Sequence, residues 1–217
     1  MKDRYTFKKY SNFNSSLKKE WESLELKVDY SPFHSYEWLS HWYNNIGIQI
    51  KNYNLSIIVI KLNGEVTDIF PLCVIKKKFT YILEWIGGIN TDYMGSLHDH
   101  NSILKSKLFT HNQIWILLKK NISKFDLIYL DKQPDYFGLK MNFFLNFFKK
   151  EVSYQSHKAN FTKNWNNYKI ENIKKKILND NKRQIKRLKK HGELKFIVTN
   201  EYKERQNIIN EMIIQKE

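Results

Sequence analysis

Asn63-Gly64 stands between two apolar runs, residues 54–62 and 65–75. The pair suits a type I′ turn, in which both central residues need positive φ, so the segment predicts an antiparallel hairpin. Pro71 cannot donate a ladder hydrogen bond and predicts an edge, a bulge or a bend in the second strand. Helix and strand signals alternate around this hairpin. Ser35 can cap a helix whose Trp38, Leu39, Trp42, Tyr43 and Ile46 share one apolar face, read as core, with Gly47 as the stop. Residues 80–86 read as a third strand closed by Gly87-Gly88, residues 102–120 as helical, and 125–130 as a short buried strand leading to a loop through Pro134. A further helix is expected over 137–150, with Phe143, Phe144, Phe147 and Phe148 as an aromatic face. The pattern predicts an α/β (α+β) fold with a mixed sheet flanked by helices.

With 217 residues, 41% apolar and 15% aromatic, the chain is expected to fold, as one large domain or one and a half ordinary ones. Its 7 Gly and 3 Pro exclude collagen-like and linker-like material and leave few places for a glycine-built phosphate loop. No Walker loop, GxGxxG, HExxH, CxxC or GxSxG motif occurs. The single Cys73 excludes a disulfide framework and a multi-cysteine zinc site, and reads as a buried thiol in a reducing compartment. The amino terminus lacks the apolar stretch of a signal peptide, and no apolar run approaches the roughly 18 residues of a membrane span. A soluble cytoplasmic protein is expected. His98 and His100 flank Asp99, but no third ligand follows at helical spacing, so the segment reads as a surface loop and no metal is expected.

The net charge of +15 invites a nucleic-acid or anionic-surface reading. Only Arg4, Arg183, Arg187 and Arg205 among the 37 bases are arginine, however, and the accompanying Asn, Ile, Tyr and Phe are what AT-rich codons produce. Much of the charge therefore reads as solvated surface. Its placement says more: residues 171–190 hold nine bases against Glu171 and Asp180, with Ile173, Ile177, Ile185 and Leu188 at helical spacing. This predicts a basic amphipathic helix ended by Gly192. Arg183 and Arg187 are candidate phosphate contacts, since Arg grips phosphate bidentately in a chain that otherwise chooses Lys. Trp165 and Tyr168 before the helix could stack on bases, although packing is the simpler role. Asp92 and Tyr93, just beyond Gly87-Gly88, lie where a strand-end loop commonly carries function, beside the alternative of a structural tyrosine hydrogen bond. A strand over 194–199 and a last helix from 201 onward, with Ile208, Ile209, Met212 and Ile213 as its stripe, complete the reading. One helix, one strand and one helix build no sheet, so this tail is expected either to dock on the first sheet or to open a second domain.

The order and spacing of five blocks resemble a known family: SPFHSYEWLSHWYNNIG (31–47), DIFPL (68–72), LEWIGGINTDYMG (83–95), DLIYLDKQP (126–134) and NDNKRQIKRLKKHGELKF (179–196). They are similar to the CelD-like (cellulose-biosynthesis, BioF-type) acetyltransferases of the GNAT superfamily. The resemblance implies a GNAT-like first domain, degenerate, over residues 1–160. The beginning of a second GNAT-like unit, the acetyltransferase domain proper, is implied over 161–217. It also implies acetyl-CoA or another acyl-CoA as cofactor, and an amine or hydroxyl acceptor on a small molecule, saccharide or envelope precursor. Trp38, Asp92, Tyr93, Arg183 and Arg187 are the expected substrate-binding residues, and no catalytic residue is assigned. The family's pyrophosphate turn, a glycine-containing loop at a helix N-terminus, does not follow residue 196. The expectation is therefore a chain that stops inside the second unit, to be complemented by another chain or inactive alone. Two rival readings are a Fem-type aminoacyl-tRNA-dependent transferase and a non-catalytic RNA-binding protein that uses the basic helix.

Overall fold

The computed structural model describes residues 5–137, 140–146, 159, 161 and 164–216. It divides into two compact units, Met1–Ser153 and Tyr154–Glu217.

The first unit is a mixed sheet flanked by helices. The Asn63-Gly64 hairpin forms as expected, with φ of 52° and 93°, joining β2 (Tyr53–Leu62) to β3 (Glu65–Lys77). On one side of β2 lies β1 (Tyr5–Tyr10), and beyond β3 lies β4 (Thr80–Trp85), all antiparallel. The short β6 (Leu127–Ile128) then pairs with β4 in parallel, which obliges the chain to cross over through α3 (His111–Asn121). A two-residue strand, β5 (Leu97–His98), pairs with β3 beside Asp68 and Ile69.

Helices cover both faces of the sheet, which is why β2 and β3 read as nearly continuous apolar runs instead of alternating ones. On one face, Leu17, Trp21 and Leu24 of α1 (Ser15–Glu25) and Leu39 and Trp42 of α2 (Tyr36–Asn45) pack with Leu55, Ile57, Val59, Ile69 and Cys73. On the other, Ile114 and Leu118 of α3 pack with Ile58, Ile60, Phe70, Leu72, Val74 and Leu83. Both α1 and β1 escaped the sequence reading; for α1 the local signals are Asn14, whose Oδ1 accepts the Leu17 N–H at 2.9 Å, and the 17/21/24 spacing. Cys73 is fully buried, and burial pushes its thiol pKa up.

Pro71 sits within the central strand and not at an edge. Its carbonyl accepts the Ile86 N–H at 2.9 Å, while the β5 pairing stops at Ile69 and the β4 pairing starts at Leu72. A strand residue's N and O point to the same side, so the missing donor falls where β3 changes partners. The helix expected over 102–120 begins only at His111, behind a capping box in which Thr110 and Gln113 satisfy one another's backbone N–H groups.

The helix expected over 137–150 does not form in the described part. Tyr136–Phe137 and Lys140–Met141 make a small antiparallel hairpin, β7 and β8, followed by a single tight turn at Phe143–Asn146; Phe147 and Phe148 lie outside the described residues. Asn142 decides this locally. Its side chain accepts the Phe144 N–H at 3.0 Å and donates to the carbonyl of Pro134 and the side chain of Gln133, an alternative to helical pairing. Phe144 is thereby delivered edge-on to Phe70 and Trp85.

The second unit contains α4 (Trp165–Asn172), α5 (Lys175–Leu188) and α6 (Tyr202–Ile214). Asn164 caps α4 by accepting the N–H groups of Asn166 and Asn167, and the non-helical Ile173 and Lys174 break the expected basic segment into the end of α4 and the whole of α5. Residues 194–199 are in no strand, because no neighbouring strand among the described residues supplies a ladder. No described residue of this unit is buried.

Candidate functional site

In open sheets with parallel strands, ligands gather at the carboxyl ends of those strands. In the first unit that place is the end of β4 and β6, where the loops 86–95 and 129–135 leave the sheet. The β4–β6 ladder stops just beyond Ile128, with Tyr129 N–H donating to the Leu83 carbonyl at 2.9 Å.

The loop after β4 is shaped by its two glycines. Gly87 has φ of 128° and a Cβ there would lie 2.2 Å from Thr91 Oγ1; Gly88 has φ of 54° and its Cβ would lie 2.7 Å from the Trp42 ring. Side chains are excluded at both positions by conformation and by space. The turn lets Thr91 fold back: its hydroxyl donates to the Gly87 carbonyl at 3.0 Å and accepts the indole N–H of Trp38, also at 3.0 Å. Trp42 reaches Asn90 Oδ1 from the same helix face. From the opposite side, the ammonium of Lys132 donates to the carbonyls of Ile89 and Thr91 at 2.8 and 2.9 Å, and the Lys132 carbonyl accepts the Met94 N–H at 3.0 Å.

So held, the loop presents Asp92 and Tyr93 to solvent next to a cluster of rings. Phe33 meets Trp38 edge-on at 5.1 Å and lies 6.2 Å from Tyr93. Trp38 and Tyr93 remain 36% and 38% exposed, so their rings are anchored without being buried. This corrects the core reading of the α2 face: Leu39 and Trp42 are buried, whereas Trp38 and Ile46 open to solvent. An anchored ring beside an exposed carboxylate can hold a ligand that has both an apolar face and polar hydrogens.

Trp38, Asp92 and Tyr93 thus lie together. Arg183 and Arg187 lie on α5 of the second unit, where Arg183 pairs with Asp180 at 2.8 Å. Phe33, Thr91 and Lys132 were not singled out in sequence, though each falls inside a family-like block; only their convergence distinguishes them. Trp165 and Tyr168 stack on each other at 5.6 Å.

Asp68 and His34 are buried titratable groups that serve the fold. Asp68 accepts hydrogen bonds from the Thr67 hydroxyl, the Ser102 hydroxyl and the Ile103 N–H, and burial outweighs these donors and pushes its pKa to about 6. His34, tied through Nδ1 to Ser31, is lowered to about 4 by burial. Asp99, between the two histidines, is buried and accepts the Asn101 N–H. Among the described residues no cluster of three or more His, Cys, Asp or Glu could hold a metal, and no helix is long and apolar enough to cross a membrane.

No protein-family model matches the chain, and no curated protein matches it. Among solved structures it is similar to an aminoglycoside acetyltransferase from an uncultured soil metagenomic sample, solved in complex with sisomicin. The identity is 13%, over 73% of this chain and 95% of that one, with a TM-score of 0.36.

Proposed function

We propose that the chain takes part in acyl transfer, from an acyl-CoA donor to an amine or hydroxyl of a saccharide or envelope precursor, and that the first unit supplies the acceptor side. The observation that carries the reading is convergence. The separate blocks that resemble the CelD-like acetyltransferases contribute Phe33 and Trp38, Pro71, Gly87 to Tyr93, and Lys132, and these form one assembly at the carboxyl end of β4 and β6. A sugar ring has apolar C–H faces and polar rims. The exposed faces of Trp38 and Tyr93 take the former, and the Asp92 carboxylate accepts from a hydroxyl or ammonium. Direct transfer requires the acceptor to be positioned against the thioester carbonyl, which is worth much of the barrier by itself.

The donor's pyrophosphate needs free amides at a helix N-terminus. At α3, the Gln113 and Thr110 N–H groups are taken by the capping box, and the Lys132 ammonium is taken by two loop carbonyls. These residues do not fit the donor. The resemblance implies Arg183 and Arg187, on α5, as phosphate contacts for the donor.

The test is release of free CoA thiol from acetyl-CoA with glucosamine as acceptor, alongside calorimetric titration of each. Acetyl transfer that falls in Trp38→Ala and Asp92→Asn while acetyl-CoA binding persists is the expected result. Absence of both transfer and acetyl-CoA binding overturns it. A second reading, nucleic-acid binding, is favoured by the stacked Trp165–Tyr168 pair just ahead of α5, of which Trp165 is exposed. It requires RNA affinity that falls with salt at a log–log slope of about −0.7 per phosphate neutralised.

A further inference from the structure

The opposite end of the first unit's sheet holds a cleft of about 580 Å³, within the range of small-molecule sites. It lies at the amino ends of β4 and β6, where the segment after α3 crosses the ends of β1, β2 and β3. Leu55 and Val74, both buried, contribute apolar surface, and Tyr43, Tyr53 and Tyr81 contribute rings. The remaining lining residues are polar or cationic, and none is acidic.

One cation is placed by a buried anchor. Ser56 on β2 is fully buried; its Oγ lies 3.1 Å from Ser123 Oγ and accepts the Ser123 N–H at 3.4 Å. Ser123 Oγ in turn accepts from the Lys9 ammonium at 2.7 Å. Lys9 is thus fixed at the rim by residues far away in sequence, and Lys124, next to Ser123, supplies a second ammonium. The neighbouring carboxylate of Asp126 is engaged by the Tyr81 N–H at 2.8 Å. Two ammonium groups with hydroxyl donors around them match an anion, and a phosphate's near-double charge and three acceptor oxygens suit them better than one carboxylate does. The tyrosine rings and apolar surface suit a flat ring attached to it.

We propose that this cleft binds a small ring-bearing organic phosphate. The site is separate from the acyl-transfer reading and stands or falls without it. The full chain is titrated with phenyl phosphate, inorganic phosphate and phenol, followed by calorimetry and by backbone amide NMR. Phenyl phosphate is expected to bind one to one, shift the amides of Leu55, Val74 and Ser123, and exceed each fragment in affinity by at least about tenfold. Lys124→Gln and Lys9→Gln each weaken it, and Trp38→Ala leaves it unchanged. Because Lys124 is exposed, its substitution is expected to leave the fold intact. The proposal is overturned by unsaturable binding, by shifts confined to residues 87–93, by full affinity in the Lys9→Gln/Lys124→Gln double variant, or by equal affinity for inorganic phosphate.

Discussion

Replacing Asp68 with Asn should make the pH dependence of stability visibly simpler. In the folded state three donors favour the ionised carboxylate, yet the side chain is completely buried and desolvation favours the protonated one. Desolvation wins: the pKa rises from 3.8 to about 6. A folded-state pKa above the unfolded one means that unfolding releases a proton between those values, so stability is greatest below about pH 4 and is lost as pH rises toward 6. The gap corresponds to about 3 kcal/mol between the two ends of that window. Above it, Asp68→Asn removes the cost of a buried charge but turns an amide N–H₂ toward one donor, Ser102, or toward two, Thr67 and Ile103, according to which oxygen it replaces. Their loss costs about 1 to 3 kcal/mol each, so the two effects largely offset at pH 7. At pH 4.5 only the loss remains. Urea unfolding followed by tryptophan fluorescence, at half-unit steps from pH 4 to 7.5, should show the wild type gaining on the variant as pH falls, by about 2 to 3 kcal/mol in all. A flat difference would refute the reasoning. A difference that grew with rising pH would mean that the three donors, not burial, set the pKa.

His34 works in the opposite direction: its folded pKa of about 4 lies below the usual 6.5, so its contribution is present above pH 6.5 and is lost as pH falls toward 4. Its ring proton resonances should therefore not titrate above pH 5, and a midpoint near 6.5 would show that it is not buried in solution. Gly88→Ala should destabilise the first unit by about 1 to 3 kcal/mol through its φ and its contact with Trp42; an unchanged melting temperature would contradict that geometry. Thr110→Ala should cost about 1 kcal/mol by removing the capping box of α3, read as a lower urea midpoint with unchanged slope.

The candidate site was half legible. Asp92 and Tyr93 could be picked out because two glycines after a strand mark a loop, and Trp38 because Ser35 fixes where its helix starts. Lys132 carried no such mark: its role comes from carbonyls about forty residues earlier in the chain. The aromatic run at 143–148 suggested a helix, and Asn142 overrode it through contacts with Pro134 and Gln133 that periodicity does not register.

Sequence alone settled what depends on neighbours two to four residues apart: the Asn63-Gly64 turn and the Ser35 cap, while the basic segment read as one helix over 171–190 is broken at Ile173 and Lys174. The turn and the cap rest on φ preferences and side-chain-to-backbone reach, both properties of a short segment. Tertiary structure decided why a proline is tolerated in the middle of the sheet, which face of Trp38 meets water, and whether Asp68 is charged. Each of those depends on groups brought together from distant positions and on water being excluded, and neither is written in any local pattern.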